Sequence, residues 1–492
     1  MFHFETQLSK LKHEVLAEVA RLSKDGDLTK EEIEGIPYKI ITGDKPIYRC
    51  CIYKERAIVL ERAKLAGGFM SNGDVADCEL IDISPDEQII YIIEAACDRC
   101  PINRYSVTDS CRNCIAHRCK EACNFGAISI VNGRAYINQE ICKECGMCKK
   151  ACPYDAISEV MRPCKIACPT GALDIGIEDR RAVIKSDLCV NCGGCMKACP
   201  FGAISDKSFI VPVSKILSKK EEVYAIVAPA ITGQFGNKVT YGQIKNAIKK
   251  LGFKDMVEAA CGADLVTINE CKEFKERMEN GEKYMTNSCC RAFVEYVEKK
   301  YNTEKDKISN TVSPMIATGK VLKHKYKECK TVFIGPCTAK KSEGIKFGKD
   351  SIDYVITFEE LFALLDAFEI DIESLEDDIV EDGTIFGRNF GMSGGVSLAI
   401  ENYIKENNLE IDFTPVKVSG GIELKKTLAM AKLGKLNGNF IEGMMCEDGC
   451  INGAGVIVQS NRAKASFIKL NKVNSKEKVS EVDGIDLEKE KD

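Results

Sequence analysis

The sequence of 492 residues has no tryptophan and only four histidines, which argues against zinc or non-haem iron sites built on several imidazoles. No apolar run approaches the roughly 20 residues that cross a bilayer. The net charge of −5 gives no basic surface for nucleic acid. The N-terminal segment MFHFETQLSKLKHEVLAEVARL lacks the pattern of a signal peptide. We therefore expect a cytoplasmic protein that binds neither membrane nor nucleic acid.

Cysteine, in contrast, is abundant, with 27 residues. Without a signal peptide, this number indicates metal or redox chemistry rather than a disulfide framework. The length predicts two or three domains. We expect a mostly helical region over 1–95 of unknown role, a cysteine-dense region over 96–210, a larger domain over 215–460, and a charged tail over 461–492. Within the first region, the helical period is clear at 11–22 and 58–68.

Two segments, 142–153 and 189–200, carry the run C-x2-C-x2-C-x3-C-P of bacterial ferredoxins. Three closely spaced thiolates of this run bind one 4Fe–4S cluster, and the fourth reaches a neighbouring cluster. The third cysteine and the proline distinguish the run from a zinc knuckle. Two further sets are irregular: 111–123 has an insertion between its second and third cysteines, and 164–169 holds only the last two cysteines of a run.

The segment CDRC at 97–100 can supply the missing pair, and sixteen cysteines then suffice for four 4Fe–4S clusters. Exchange of the fourth ligand between paired clusters predicts the following sets: Cys111, Cys114, Cys119 and Cys152; Cys142, Cys145, Cys148 and Cys123; Cys189, Cys192, Cys195 and Cys168; and Cys97, Cys100, Cys164 and Cys199. The alternative is three clusters, with Cys97 and Cys100 free.

From about residue 215 the pattern alternates between apolar runs and amphipathic helices. The segments VYAIVAP (223–229) and KTVFIGPC (330–337) predict buried strands. The segments YGQIKNAIKKLG (241–252) and FEELFALLDAF (358–368) predict helices. No dinucleotide-binding fingerprint is present, which argues against direct nicotinamide chemistry.

Five further cysteines occur in three separated segments: TNSCCRAF (286–293), GPCTAKKSE (335–343) and EGMMCEDGCINGAG (442–455). Their order and spacing resemble the three signatures of the iron-only (FeFe) hydrogenases, most closely those of the group B branch of monomeric enzymes. The resemblance implies an α/β catalytic (H-cluster) domain in two lobes with parallel-rich sheets, preceded by α+β ferredoxin-like 4Fe–4S domains.

The resemblance also implies an activity and cofactors. The activity is the reversible conversion of two protons and two electrons to H2 at an H-cluster, a 4Fe–4S cluster joined to a two-iron subsite with CO, cyanide and azadithiolate. Electrons would pass through the four 4Fe–4S clusters to or from ferredoxin, and maturation proteins would build the two-iron subsite. The family's residue roles would make the ligands of the H-cluster Cys290, Cys337, Cys446 and Cys450, with Cys450 bridging to the two-iron subsite.

Other residues would surround the subsite in this resemblance. Cys289 would pass protons to the bridging amine, Lys340 would donate to an iron-bound cyanide with Glu343 nearby, and Met444 would pack against the subsite. The loops 227–233 and 390–397 would supply backbone N–H groups, at Ala230, Ser393 and Gly394. Strand-to-helix turns of purely structural character would explain these two loops equally well.

The family's proton route maps onto Glu270 and Glu273, which stand three residues apart on one helix face, and onto Ser309. The resemblance implies that these three groups relay protons to Cys289. The alternative interpretation is a solvated pair between Glu273 and Arg277.

The segments depart from the family at four positions. Arg291 stands in place of a proline, Phe293 of a tryptophan, Gly335 of a methionine and Ala454 of a glycine. Two alternatives to an enzyme remain: a Narf-like scaffold for iron–sulfur assembly, and a hydrogen sensor. The joint presence of Cys289, Lys340 and Glu343 favours the enzyme. The remaining cysteines are expected to be free and buried: Cys50, Cys51, Cys78, Cys261, Cys271 and Cys329.

Overall fold

The computed structural model describes residues 4–26, 28–69, 88–100, 103–176, 179–348, 350–470 and 478–479. The N-terminal region consists of three helices: α1 (Gln7–Asp25), α2 (Lys30–Ile40) and α3 (Ile52–Ala66). Thr6 and Thr29 open α1 and α2 with capping boxes, which satisfy N–H groups of the first turn. The helices predicted at 11–22 and 58–68 are confirmed. Cys78 lies outside the described residues.

The iron–sulfur region is built from short strands and single-turn helices. In chain order these are β1 (Ile90–Ile92), β2 (Tyr105–Val107), α4 (Arg118–Glu121), β3 (Ile128–Val131), β4 (Arg134–Ile137), α5 (Met147–Ala151), β5 (Ile157–Glu159), α6 (Pro163–Ile166), β6 (Leu173–Ile175), β7 (Ala182–Ile184), α7 (Gly194–Ala198) and β8 (Ile204–Asp206). All strand pairs are antiparallel: β1 with β8, β2 with β5, β3 with β4, and β6 with β7.

The strand pairing divides the iron–sulfur region into two modules: the first module contains β2 to β5, and the second contains β1 and β6 to β8. Because β1 pairs with β8, the first module is inserted into the second. The first module has its own apolar core, which includes Tyr105, Ile128 and Ile157. Because β1 belongs to the iron–sulfur region, this region begins before residue 90 rather than at the predicted residue 96.

The third region is an α/β domain of two lobes. Its helices are α8 (Ile210–Ser218), α9 (Tyr241–Lys250), α10 (Ala259–Glu279), α11 (Arg291–Lys300), α12 (Pro314–Lys325), α13 (Ala339–Phe347), α14 (Phe358–Ala367), α15 (Ile385–Asn389), α16 (Gly395–Glu406), α17 (Gly421–Lys432) and α18 (Ser460–Leu470). Its strands are β9 (Val223–Val227), β10 (Asp255–Glu258), β11 (Met285–Thr286), β12 (Lys330–Gly335), β13 (Tyr354–Thr357), β14 (Pro415–Ser419) and β15 (Phe440–Met444).

Two parallel sheets define the lobes. One has the strand order β10-β9-β12-β13, and the other has the order β11-β15-β14. Every residue of β9 and β15 is buried, as expected for parallel strands covered on both faces. The predicted strands and helices of this region are confirmed, and so is the predicted fold class.

The outer elements are packed onto this domain. Helix α1 lies against α8 and α14, and α3 lies against β8. Helix α18 extends into the predicted charged tail and buries Ala463 and Phe467 completely, so the packed domain reaches at least Leu470. None of the helices within the described residues combines the length and hydrophobicity of a transmembrane span.

Candidate active site and iron–sulfur centres

The cysteines predicted to hold the H-cluster lie beyond the carboxyl ends of parallel strands. Cys290 caps α11 after β11, Cys337 follows β12, and Cys446 and Cys450 follow β15. Strand β12 belongs to one sheet, and β11 and β15 belong to the other, so the four thiols meet in the crevice between the lobes. Their charges interact with one another.

These thiols do not ionise readily without a bound metal. Burial, followed by the charges of neighbouring cysteines, raises the pKa of Cys337 to about 11 and that of Cys450 to about 12. A metal can take the place of the thiol protons, so such a set fits a metal centre. Among the described residues no group of three His, Cys, Asp or Glu side chains is placed to hold a single metal ion.

A cavity adjoins this set. Cys290, Cys337 and Cys450 line it, whereas Cys446 does not and interacts with Cys192 of the iron–sulfur region as well as with the other three thiols. The cavity therefore lies on one side of the thiol set, and three of the four thiols face it. Its other lining side chains include the predicted Ala230 and Met444, together with the unpredicted Pro229, Met315, Phe333 and Phe390.

Cys289 also lines the cavity, and its thiol is fully buried. The side-chain amide of Asn287 donates to its sulfur at 3.0 Å, and the same side chain accepts from the Gly443 N–H at 2.8 Å. Burial, followed by the charge of Glu270, holds the pKa of the Cys289 thiol well above its usual range. The thiol therefore keeps its proton at neutral pH. Asn287 was not predicted, although it stands two residues before Cys289.

Lys340 reaches the cavity from α13. Its Nζ donates to the carbonyl of Cys289 at 3.0 Å and to Glu343 at 2.5 Å. Burial opposes the charge of Lys340, but the neighbouring Glu343 carboxylate outweighs it, and the pKa of the ammonium is raised. A buried cation therefore faces the cavity, and Glu343 fixes its position.

A row of polar side chains leads from Cys289 towards the surface. The Ser309 hydroxyl donates to Glu273 at 2.7 Å and also neighbours Glu270. Glu270 accepts from the Ser288 N–H at 3.0 Å, and its Oε2 has no hydrogen-bond partner. Burial, opposed by the Ser288 N–H, raises the pKa of Glu270 to about 8.

The outer end of this row is Glu273, which remains 16% exposed and also pairs with Arg277 at 2.7 Å. Glu273 therefore forms the pair with Arg277 and also belongs to the row. Its Oε1 accepts from Arg277, and its Oε2 accepts from Ser309. The structure brings Glu270, Glu273, Ser309 and Cys289 together, as the sequence predicted.

The two predicted backbone loops behave differently from each other. Ala230 lines the cavity, but Ser393 and Gly394 do not. The N–H of Ser393 donates to the carbonyl of Asp448 at 3.1 Å, and that of Gly394 donates to the carboxylate of Glu442 at 2.6 Å. These amides therefore close the start of α16 and are not directed to the cavity. From the same loop, Phe390 and Gly391 line the cavity instead.

Electrostatic interactions join fourteen of the sixteen cysteines of the iron–sulfur region within the four expected sets, Cys111 and Cys145 being the other two. Within each set, electrostatic contacts join Cys119 to Cys114 and Cys152, Cys148 to Cys142 and Cys123, Cys192 to Cys189 and Cys168, and Cys100 to Cys97 and Cys199. Cys164 joins the last set through Cys100 and Cys199, and Cys195 contacts Cys164 from the neighbouring set. Because Cys192 interacts with Cys337, the second module stands directly beside the crevice.

The remaining cysteines only partly match the expectation. Cys271 and Cys329 are buried, Cys261 is partly buried, and Cys50 and Cys51 are exposed. The prediction that all are buried is therefore wrong for the adjacent pair, which stands at the start of α3.

Two departures from the hydrogenase signatures have a structural explanation. A Cβ on Gly335 would stand 2.4 Å from the ring of Phe333, so this ring fills the space over the glycine and lines the cavity. Arg291 occupies the first turn of α11, where Nε donates to Glu295 at 3.1 Å and the guanidinium lies over the Phe347 ring. Neither change reaches the four ligands.

Ala454 lies at the boundary with the iron–sulfur region. A Cβ added to Gly193 would meet the Ala454 Cβ at 2.3 Å and Thr338 Oγ1 at 2.8 Å. Thr338 also donates to the carbonyl of Asn191 at 2.6 Å. Ala454 therefore packs on the loop that holds Cys192.

A Gly193→Ala variant should be destabilised by about 1–3 kcal/mol through overpacking against Ala454. Its positive φ of 71° adds a backbone cost. Gly171→Ala is the matched control, since Gly171 has φ of 70° and open space around it. Thermal unfolding should show a larger loss for Gly193→Ala than for Gly171→Ala, and adding Ala454→Gly should recover part of it. Equal losses in the two single variants would contradict the packing argument.

Comparison with known families separates the regions. Residues 221–454 match the family described as iron only hydrogenase large subunit, C-terminal domain. Residues 135–158 match a 4Fe-4S binding domain, and residues 158–210 match the LdpA Fe-S cluster-binding domain. These matches support iron–sulfur clusters in the middle of the chain and a hydrogenase-like domain after them.

Individual relatives include both hydrogenases and assembly factors. Iron hydrogenase 1 of Clostridium pasteurianum is 31% identical over 372 residues, which are 65% of this chain and 64% of that protein. The periplasmic [Fe] hydrogenase large subunit of Nitratidesulfovibrio vulgaris is 28% identical, over 51% of this chain and 72% of its own. Protein NAR1 of Arabidopsis thaliana is 25% identical, over 49% of this chain and 66% of its own. The chain thus spans just under two thirds of the first of these relatives.

Solved structures that partly match the chain include the [FeFe]-hydrogenase HydA1 from Chlamydomonas reinhardtii. That comparison gives 19% identity and a TM-score of 0.43, and covers 55% of this chain and 91% of the other.

Proposed function

We propose that the protein is an iron-only hydrogenase that interconverts two protons and two electrons with H2. The observation that carries this proposal is the row of Glu273, Ser309, Glu270 and Cys289, which runs from a partly exposed carboxylate to a buried thiol on the cavity. A protein that only stores or transfers clusters has no need of such a row.

Cys290, Cys337, Cys446 and Cys450 would hold the 4Fe–4S part of the H-cluster, with Cys450 adjoining the two-iron subsite in the cavity. When bound, this group supplies the metal centre at which electrons and protons combine. The buried thiols with raised pKa values and the cavity beside Cys450 both fit it.

The residues around the cavity have separate tasks. The Lys340 ammonium offers N–H donors to anionic groups in a site of low polarity, where hydrogen bonds to charged groups contribute about 1.5–3 kcal/mol each. Met444 and Phe333 cover the cavity with apolar surface and exclude water.

Protons move along the row by short transfers. A protonated Glu270 can donate towards Ser309 or towards Cys289, and the Ser309 hydroxyl can pass a proton to Glu273 while it accepts another. A raised pKa suits Glu270 to this task, because the carboxyl then binds and releases protons near neutral pH. The partly exposed Glu273 exchanges its proton with solvent.

Electrons would travel through the four predicted clusters, with ferredoxin as the external partner. On the first module Cys145 is exposed, and so are Ile115, Met147 and Tyr154, which would give a partner an apolar contact surface close to the cluster ligands. The proposal also includes a cytoplasmic location and maturation proteins that insert the two-iron subsite.

A second candidate is an iron–sulfur assembly scaffold, which the similarity to NAR1 proteins favours. Such a protein would keep cluster cysteines but would not require a proton row, a buried Lys340–Glu343 pair or a cavity beside Cys450.

Infrared absorption of the matured protein distinguishes the two candidates. We expect bands of iron-bound CO and cyanide, together with H2 evolution from a reduced electron donor. A Cys450→Ala control should lose the bands while it retains the clusters of the iron–sulfur region. A known active hydrogenase, matured in parallel, is the positive control. If it shows the bands and the wild-type protein does not, the hydrogenase proposal fails.

A further inference from the structure

Three arginines surround the most irregular of the predicted cluster sets: Cys97, Cys100, Cys164 and Cys199. Arg162 stands two residues before Cys164, whereas Arg49 and Arg62 come from the N-terminal helical region. No sequence motif links these last two residues to a cluster, and the N-terminal region has so far been given no role.

Arg62 extends from α3 to the turn that follows Cys199. Its Nη2 donates to the carbonyl of Gly202 at 2.7 Å, and the N–H of Gly202 donates to the carbonyl of Cys199 at 3.1 Å. The side chain is only 4% exposed, yet its Nε and Nη1 have no hydrogen-bond partner. Its charge acts on Cys199.

Arg162 approaches the same set from the other side. It is 5% exposed, its Nε and Nη2 have no partner, and its charge acts on both Cys100 and Cys164. Arg62 and Arg162 together account for four of the five buried arginine nitrogens without a partner in the described part of the chain. Two guanidinium groups with unused donors therefore converge on one thiol set.

Arg49 contributes a third charge. Its Nη2 donates to the carbonyls of Ala96 at 3.2 Å and Phe201 at 2.9 Å, which places the guanidinium between the segments that carry Cys97 and Cys199. Asp98 lies 3.9 Å away and balances it only in part.

Nearby carboxylates neutralise the three cations only in part. Of the two that act on Arg62, Asp206 is bound by Lys341 at 2.7 Å, and only Glu359 remains. Cations near the other sets have carboxylate partners: Arg134 pairs with Asp109 at 2.8 Å, and Lys299 with Glu295 at 3.9 Å.

We propose that the N-terminal helical region is an electrostatic cap for this one cluster, and that Arg49 and Arg62, with Arg162, raise its reduction potential above that of its neighbours. The inference rests on the ligand set assigned under the proposed function. Each buried donor without an acceptor costs about 1–3 kcal/mol, and folded proteins leave few of them. The sulfur atoms of a cluster bound by this set would supply acceptors for these groups. A cluster that gains one electron becomes more negative by one charge, so adjacent cations favour the reduced form.

The cap gives this cluster a distinct place in electron flow. Cys164 interacts with Cys195 of the set beside the crevice, so the capped cluster neighbours the one closest to the cavity. A higher potential makes it the site where a single electron rests when the cavity cannot accept it.

The test is a redox titration, followed by electron paramagnetic resonance, of the full-length protein loaded with 4Fe–4S clusters only. For Arg62→Gln and Arg49→Gln, we expect one cluster to shift to lower potential and the other three to stay unchanged. Removing a unit charge at roughly 10 Å, with an effective dielectric constant of about 20, changes the ratio of reduced to oxidised cluster about tenfold. For a one-electron couple this is about 59 mV.

Three controls make the result specific. Arg62→Lys keeps the charge and should restore most of the potential. Arg56→Gln removes an arginine of the same helix whose donors serve Ile41 and Gly43, and it should change no potential. Arg49→Gln, at a less buried side chain, carries the test if Arg62→Gln does not fold.

The cap is refuted if Arg49→Gln and a folded Arg62→Gln, with full iron content, leave all potentials unchanged, or if Arg62→Lys shifts the potential as far as Arg62→Gln. It is also refuted if Cys97→Ser with Cys100→Ser leaves the iron content at the wild-type value, because no cluster would then occupy the set. Failure of the hydrogenase proposal appears elsewhere, as missing CO and cyanide bands, and does not affect these potentials.

Discussion

A Cys289→Ala variant should lose nearly all H2 turnover while it keeps its iron content and its CO and cyanide bands. Cys289 is the one group of the proton row that lines the cavity, and its raised pKa keeps the thiol protonated and able to donate. Alanine removes the proton carrier without touching the four predicted ligands. General acid–base groups contribute about 10²–10⁴-fold to rates, so we expect a loss in this range. H2 evolution and uptake assays on matured protein would measure it.

The matched control is Cys329→Ala, just before β12, which removes another buried thiol whose charged neighbours, Lys323 and Asp353, lie outside the row. It should retain turnover near the wild-type rate. Cys289→Ser keeps a hydroxyl at the same place and separates loss of the proton carrier from loss of volume, since it should fall between the other two variants. Undiminished turnover in Cys289→Ala would show that protons reach the cavity by another route.

A Glu270→Gln variant should also lose about 10²–10⁴-fold in turnover. The amide has the shape of the neutral carboxyl and can accept from Ser288 in the same way, but it cannot release a proton. Because burial raises the pKa of Glu270 to about 8, the neutral form already predominates at pH 7. The change therefore removes proton transfer while it leaves the resting structure intact. Turnover rates of the matured variant, compared with those of the wild type, would measure the loss.

Stability measurements provide the control for this second variant. A folded-state pKa of about 8, above the unperturbed 4.5, means that the neutral carboxyl contributes stability fully below pH 4.5, and that this contribution is lost as the pH rises through about 8. Glu270→Gln should therefore unfold like the wild type near pH 5 and resist unfolding better near pH 9. Glu276→Gln, at an exposed carboxylate of the same helix, should alter neither turnover nor this pH dependence. Wild-type turnover in Glu270→Gln would remove Glu270 from the proton route.

The cysteine sets could be predicted because ligand spacing is local and cluster chemistry limits the combinations. The sequence did not show why the irregular set of Cys97, Cys100, Cys164 and Cys199 comes together. Cys97 and Cys100 are separated from Cys164 by an inserted module, and only the pairing of β1 with β8 shows that they belong together. Strand pairing over such a distance depends on the whole fold and leaves no local pattern in the sequence.

The cavity shows the same contrast. The motif residues Cys289, Lys340 and Met444 reach it as predicted, whereas Ser393 and Gly394 use their N–H groups elsewhere. A glycine-rich loop before a helix predicts free amides, but Glu442, buried on β15, accepts from Gly394 across the lobe. Phe333 could have been found, since it stands two residues before Gly335 and therefore points to the same face of its strand.

The N-terminal region was the least predictable part. Its helices followed from hydrophobic periodicity, but their position against α8 and α14 did not. In the sequence, Arg62 resembles an ordinary surface arginine of a helix. It is buried because α3 packs beside the turn after Cys199.

The loop that carries Cys192 is fastened to the catalytic lobes at several points, through Thr338, through Lys299 on the carbonyl of Cys189, and through Lys197 on the carbonyl of Asn452 at 2.9 Å. The separation between the last relay centre and the crevice is thereby fixed by the fold. Electron tunnelling depends steeply on distance, so the proposed function implies a final electron-transfer step that domain motion does not gate. Control over the supply of electrons would then act upstream, on the first module with its separate core.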